Sequence, residues 1–320
     1  MCSLYSDPSS FLKYSVNAYW REWHAGIILC ILEQLFWFSS LIESKLEHGN
    51  LMNLLLFTSE EMSPEGLLVI RGSRAEHLRR VKQVTVGSRI RTGVLRGRLG
   101  YAMVSEIGPS HVTLSDIDCN EVAPERNVTL ILALPRPQTL KKVLETAAAM
   151  GVSRLMLINS ARVEKSYFSA KILKRENIEH HLLLGLAQGV TTLIPEVSLH
   201  RSFRSFLDEE LPLDFRESSG ACHEGIGLLA HPVGARSLAE LEAAIPFGCS
   251  RPVYTAVGPE GGWNDYETGR FLRLGFYPCS FGPRILRVET AVCAILSQLE
   301  LVEDRAKMGA KNISHALSAA

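Results

Sequence analysis

The strongest constraint on the fold is an alternation of short apolar runs with amphipathic stretches between residues 127 and 302. Asn127 to Leu134 is apolar and β-rich. Gln138 to Met150 then carries Leu140, Val143, Leu144, Ala147 and Ala148 on one helical stripe, with Gly151 as the stop. Arg154 to Asn159 reads as strand and Ile172 to Gly189 as helix, followed by strands at Gly225 to Ala230 and Pro252 to Val257. Asn264 to Leu274 reads as a helix opened by a near capping box, with Asn264 as N-cap and Glu267 three residues on. Phe276 to Phe281 returns as strand, Glu289 to Val302 is a last apolar helix, and Lys307 to Ala320 reads as a frayed tail. Alternation of this kind builds an α/β domain on a mostly parallel sheet.

The upstream part has a different texture. Met52 to Phe57, Gly66 to Ile70, Arg89 to Gly93, Gly100 to Ser105 and His111 to Ser115 are short runs bounded by Gly, Pro or Ser. Their near-regular spacing points to a small β-barrel, with a helical insert at Ser73 to Gln83. The barrel is expected to end near Asp116, with a polar connector from Cys119 to Arg126. Residues 1–51 match neither pattern. Their apolar run, Ala25 to Ile42, is broken by Glu33 and Gln34 and is borderline for a membrane span, which needs about 20 mostly apolar residues. Five acidic residues argue against a transit peptide, so the reading is a non-conforming extension, with a targeting (organellar) or anchoring segment as the alternative. The expected organisation is 1–51 extension, 52–120 barrel, 127–305 α/β domain and 306–320 tail.

Composition removes several function classes. Formal net charge is zero, so any nucleic-acid partner must be met by a local patch. Seven scattered cysteines form no C-x-x-C pair and read as reduced thiols of a cytoplasmic protein. The histidines show no ligand spacing, so no metal is expected. Neither G-x-G-x-x-G nor a Walker loop occurs at the glycine-rich turn described next.

Two segments concentrate chemistry. Val257-Gly-Pro-Glu-Gly-Gly-Trp263 joins a strand to a helix, and its glycines permit close backbone approach to a ligand at a helix start. Phe281-Gly-Pro-Arg-Ile-Leu-Arg-Val-Glu-Thr-Ala291 packs two arginines and a glutamate into a Gly-Pro-led turn at the carboxyl edge of the sheet. Ligands of open α/β sheets bind at that edge. The bland alternatives are a tight connection and a salt-bridged helix start.

Together, Gly258-Pro-Glu-Gly-Gly262, Leu274-Gly-Phe276 and Gly282-Pro-Arg-Ile-Leu-Arg-Val-Glu-Thr-Ala291 resemble the signature of the 16S rRNA (uracil-N3)-methyltransferases. These are the RsmE family of the SPOUT, or trefoil-knot, superfamily. The likeness runs in order from Met52 to Asp304 through Leu134-Pro-Arg-Pro137, Arg162-Val-Glu-Lys-Ser166, Leu184-Gly-Leu-Ala-Gln188 and Ala230-His-Pro232. Met52 is then the expected functional start.

The resemblance implies a PUA-like RNA-binding β-barrel followed by a SPOUT-type α/β trefoil-knot methyltransferase domain that forms a homodimer. It implies S-adenosyl-L-methionine as cofactor, held by His231, Pro232, Gly258, Pro259, Glu260, Gly261, Gly262, Gly282, Ile285 and Leu286. The implied partner is small-subunit rRNA or the assembled small subunit, methylated at N3 of a uridine. Removal of the N3 proton leaves enolate-like charge, for which Arg287 is the first candidate stabiliser and Arg284 the second, with Glu289 holding an arginine in place. Arg74, Arg79, Arg80, Lys82 and Arg136 are the expected RNA contacts, acting mainly on phosphate. Ala187 and Thr191 depart from the family, where many relatives carry a glutamate and an arginine. Two other functions fit the same residues: a non-catalytic RNA-binding or ribosome-assembly protein, and a SPOUT enzyme with a different rRNA product.

Overall fold

A computed structural model describes residues 54–211, 225–231, 235–245 and 251–318. The 1–51 extension and the expected start at Met52 therefore lie outside the described residues, as does Pro232.

The upstream strands are β1 (Leu55–Phe57), β2 (Leu68–Arg71), β3 (Arg89–Val94), β4 (Leu99–Ile107) and β5 (His111–Glu121). They form one mixed sheet in the order β1-β3-β4-β5-β2, with β1 parallel to β3 and the other pairs antiparallel. Register shifts between β4 and β5 mark bulges, where an antiparallel strand bends and its twist increases. Strand β5 runs to Glu121, so the connector begins later than Cys119. Helix α1 (Gly72–Arg80) lays Ala75 and Leu78 on the sheet, against Leu68, Ile70, Val112 and Leu114.

The downstream elements are β6 (Val128–Ala133), α2 (Pro137–Ala149), β7 (Arg154–Ile158), α3 (Arg175–Gly189), β8 (Glu196–His200), β9 (Ile226–Ala230), β10 (Arg236–Ser237), α4 (Leu238–Glu242), β11 (Val253–Val257), α5 (Asp265–Arg273), β12 (Tyr277–Ser280) and α6 (Val288–Ser318). All seven strands pair parallel, in the order β10-β12-β9-β11-β6-β7-β8. Every residue of β6 and β11 is buried, as a central parallel strand covered on both faces requires. Each buried Leu or Ile there contributes about 1.5–3 kcal/mol relative to exposure.

The helices follow from local signals. Pro137 opens α2, whose stripe Leu140, Val143, Leu144, Ala147 and Ala148 is wholly buried. Helix α3 lies against α2 closely enough that a Cβ at Gly185 would stand 2.2 Å from the Glu145 carbonyl oxygen. Only glycine allows that approach. Two readings need correction. Residues 171–173 form a 3-10 turn, so α3 starts at Arg175 rather than Ile172. Helix α6 continues to Ser318, where a frayed tail from Lys307 is expected.

The two sheets are joined by backbone and side chain. Leu54 N–H donates to the Ala187 carbonyl at 3.0 Å and Arg96 N–H to that of Thr192 at 2.8 Å. Leu54, Leu99 and Ala123 are buried there with Val190 and Leu193. Ala187 and buried Thr191, the two departures from the family pattern, belong to this junction. Small apolar and hydroxyl side chains suit a packed seam, where a lone carboxylate or guanidinium would be costly. Arg126 ends the connector with its side chain 9% exposed, donating to Glu303 at 2.9 Å and to the Met150 carbonyl at 2.8 Å.

Candidate cofactor and RNA site at the carboxyl edge of the parallel sheet

Strand order locates the site. The chain leaves β6 toward β7 and β8 on one side, while β11 and β9 lie on the other. The carboxyl ends of β6 and β11 therefore flank a topological switch point, where an open parallel sheet leaves a crevice. The glycine-rich turn follows β11, and Leu134-Pro-Arg136 follows β6.

The turn after β11 is held from several directions. Asn264 caps α5, accepting the Glu267 N–H at 2.8 Å, while Glu267 Oε2 accepts the Asn264 N–H at 3.0 Å. The second carboxylate oxygen accepts the Ala161 N–H, from the loop after β7, at 2.7 Å. Glu267 is 2% exposed, so one buried carboxylate fastens two loops. Arg162 donates to the Gly261 carbonyl. Glu260 accepts the Arg136 N–H at 3.1 Å, with the Arg136 guanidinium 3.9 Å away. Half-buried Tyr167 stands beside this pair: burial and the carboxylates of Glu164 and Glu260 push its phenol up, and Arg136 pulls it back. Trp263 packs beneath the turn against Phe271, ring centroids 5.2 Å apart, and its buried Nε1 has no hydrogen-bond partner. Gly262 sits at φ +72°, a conformation costly for other residues.

The loop after β12 is built differently. Gly282 to Arg287 are all exposed, Ile285 at 91%. Gly282 has φ +134°, and a Cβ there would meet nothing within 4 Å. The loop is anchored at its start, where Gln298 of α6 donates to the Phe281 carbonyl at 3.2 Å and Ser280 to that of Gly282 at 3.1 Å. His231 follows β9, and its N–H donates to the Cys279 carbonyl of β12 at 3.1 Å. The loops after β9 and β12 thus adjoin.

Arg284 and Arg287 are both exposed in this loop. Glu289 does not hold either of them among the described residues; it pairs with Lys142 of α2 at 3.7 Å. Its place in the first turn of α6 points it across to α2, a contact that spacing along the chain does not reveal. On the upstream sheet, Arg74 bonds Glu61 and the Leu56 carbonyl, and Arg79 bonds the carbonyls of Gly108 and Pro109. Both stabilise the sheet itself. Arg80 is 78% exposed beside Glu76 at 3.1 Å, and Lys82 is half-buried just past α1. Arg162, Glu267 and Trp263 are the site residues missing from the sequence-based set. Glu267 was visible as a cap, but its bond to Ala161 depends on a contact 106 positions away.

The sequence pattern of the RNA methyltransferase domain family matches residues 123–300, more than half of the chain. The chain belongs to that family. Within it, the protein is 28% identical over 249 residues to the ribosomal RNA small subunit methyltransferase E of Treponema pallidum, covering 76% of this chain and 88% of that one. The protein of that name with the suffix 1 from Borreliella burgdorferi is 24% identical over 243 residues, covering 76% and 95%. The fold is shared with the Neisseria gonorrhoeae ribosomal RNA small subunit methyltransferase E, solved bound to S-adenosyl methionine. That likeness has a TM-score of 0.60 at 21% identity and covers 78% of this chain and 98% of the other. A putative methyltransferase from Legionella pneumophila, solved with bound SAM, gives the same TM-score, 0.60, at 21% identity, covering 78% and 97%. As an RNA methyltransferase, this family member has its glycine turn and its arginine loop on the matched segment.

Proposed function

We propose that the protein is an S-adenosylmethionine-dependent methyltransferase that methylates N3 of a uridine in small-subunit rRNA. The observation that carries this reading is the meeting of the β6, β7 and β11 loops at the switch point of a family-matched parallel sheet. The residues fit the cofactor: a glycine at positive φ, an exposed backbone turn and an orphaned buried Trp263 Nε1 mark a cradle built from main chain. Gly258 to Gly262, His231, and Gly282 to Leu286 would hold it, and Pro232 takes part as an expectation from its neighbours. When bound, S-adenosylmethionine supplies an electrophilic methyl group.

The protein's own work is positioning and charge. Arg287, and behind it Arg284, would set a cation against the negative charge that spreads over the uracil ring as N3 loses its proton. Glu289 neutralises Lys142 at the start of α6 instead of acting as a base. Exposed Arg80 and Arg136 would meet phosphate, with Arg74 and Arg79 keeping the upstream sheet in shape. That sheet serves as a PUA-like RNA-binding module in this reading. Exposed Ile285, Leu286, Leu301 and Met308 lie on one stretch from the β12 loop into α6 and support a homodimer. The C-terminal segment would thread as a trefoil knot, as the resemblance implies.

Nucleoside mass spectrometry of small-subunit rRNA, with and without the gene, tests the reading. Loss of one N3-methyluridine is the expected result. An unchanged N3-methyluridine content, or loss of a 2′-O-methyl instead, overturns it. Arg80→Ala should weaken RNA binding uniformly and reduce the salt slope by about one, measured by titration at several salt concentrations.

A further inference from the structure

On β8, the lateral edge strand of the parallel sheet, Ser198 and His200 stand on one face, because side chains two apart in a strand share a face. Arg154 and Met156 of β7 join them, and a helical segment, Phe206–Glu210, covers the same face. Together they line a cavity of about 160 Å³.

Three of these side chains form a bonded chain. Ser198 Oγ lies 2.8 Å from His200 Nε2, and His200 Nδ1 lies 2.6 Å from Glu210 Oε2. A carboxylate only accepts, so Nδ1 carries a proton, and in the neutral ring Nε2 accepts from the serine hydroxyl. Fully buried Phe206 packs on the His200 ring, centroids 4.6 Å apart, and limits its rotation. The covering segment is itself tethered, since Asp208 pairs with Arg270 of α5. Arg154, 3.9 Å from Glu196, brings a guanidinium to the cavity wall. Methyl transfer at the carboxyl edge uses none of these groups. Two to three strand spacings, about 10–14 Å, separate β8 from the β6–β11 switch point.

We propose that Ser198, His200 and Glu210 form a second, hydrolytic site that cleaves short-chain carboxylic esters. Ser198 Oγ bonds to the ester carbonyl carbon while its proton passes to His200 Nε2. The imidazolium returns that proton to the alkoxy oxygen as the ester C–O bond breaks and the alcohol leaves. Water then adds to the acyl-serine carbon, gives a proton to Nε2, and the acyl–Oγ bond breaks with that proton returning to Ser198. The carboxylic acid departs, and no oxidant or metal is needed. Glu210 holds the imidazole tautomer and stabilises the imidazolium, and Arg154 offers a cation to the oxyanion. The cavity volume restricts the acyl group to a few carbons.

The test uses the full chain with p-nitrophenyl acetate as substrate and an alkyl fluorophosphonate as label. Label is expected on Ser198, located by peptide mass spectrometry, as fluoride leaves phosphorus. Ser198→Ala should cut hydrolysis at least about tenfold, and Glu210→Gln should lower it with Ser198 still present. Unchanged SAM binding by calorimetry confirms that each variant is folded. Hydrolysis by Ser198→Ala at the wild-type rate overturns the proposal. So does label that avoids Ser198 in the wild-type chain, a result that holds even if the variants fold poorly.

Discussion

The two chemical loops at the carboxyl edge have opposite constructions. The turn after β11 is tethered by a buried carboxylate, two arginines and a buried indole, contacts that restrain its backbone without a ligand. The loop after β12 is anchored at Phe281 and Gly282 and exposed from there to Arg287. The bound turn suits recognition of a constant ligand by main chain. The open loop suits a large substrate or second protomer that completes the site on arrival. Preorganisation is concentrated where the cofactor would sit, and the candidate charge-stabilising arginines are on the part left open.

The largest expected effect lies in the open loop. Arg287→Ala should lower kcat by roughly 10²–10³, the scale for one lost charge-stabilising donor. SAM affinity by calorimetry should hardly move. Normal turnover at saturating RNA and SAM would shift the assignment to Arg284 and break the division of labour between the loops.

Next comes the bound turn. Glu267→Ala leaves the part-buried Asn264 N–H and the Ala161 N–H without their shared acceptor, at a cost of about 1–3 kcal/mol. Thermal unfolding should fall by roughly 5–10 °C. Glu267→Gln keeps one acceptor oxygen and should lose less. An Ala variant as stable as wild type would mean that the turn is not held by this residue.

A paired substitution sharpens the contrast. Gly262→Ala and Gly282→Ala both place a side chain at positive φ, with a local cost of about 1–2 kcal/mol each. At Gly262 the fixed surroundings should pass that cost to Tm and SAM affinity. At Gly282 the exposed loop should relax, so Tm changes less. Equal losses at both positions would show that the β12 loop is as rigid as its neighbour.

The smallest effect is read by thiol chemistry. Burial pushes the Cys279 thiol in β12 up to about 12, whereas Cys293 on α6 is exposed. At pH 8 an aromatic disulfide reagent should modify Cys293 quickly and Cys279 only on unfolding. Rapid reaction at Cys279 would mean that the openness after Gly282 extends back into the strand.

Much of this architecture was determined by the sequence itself. Stripe and strand periodicity placed β6, α2, β7, β9, β11, α5 and β12 within a few residues, because side-chain period reports local burial. The glycine turn and the Asn264–Glu267 box were legible for the same reason: each is a property of a few consecutive residues. Strand order could not be read this way, and β8 escaped notice as a strand because its half-exposed edge position leaves no continuous apolar run. Arg74 and Arg79 looked like free phosphate contacts until the sheet brought Glu61, Gly108 and Pro109 to them. Glu289 met Lys142, and Arg162 met Gly261 across 99 positions. Charged side chains choose partners by proximity in space, and only the packing of the sheet and its helices decides which ones are near.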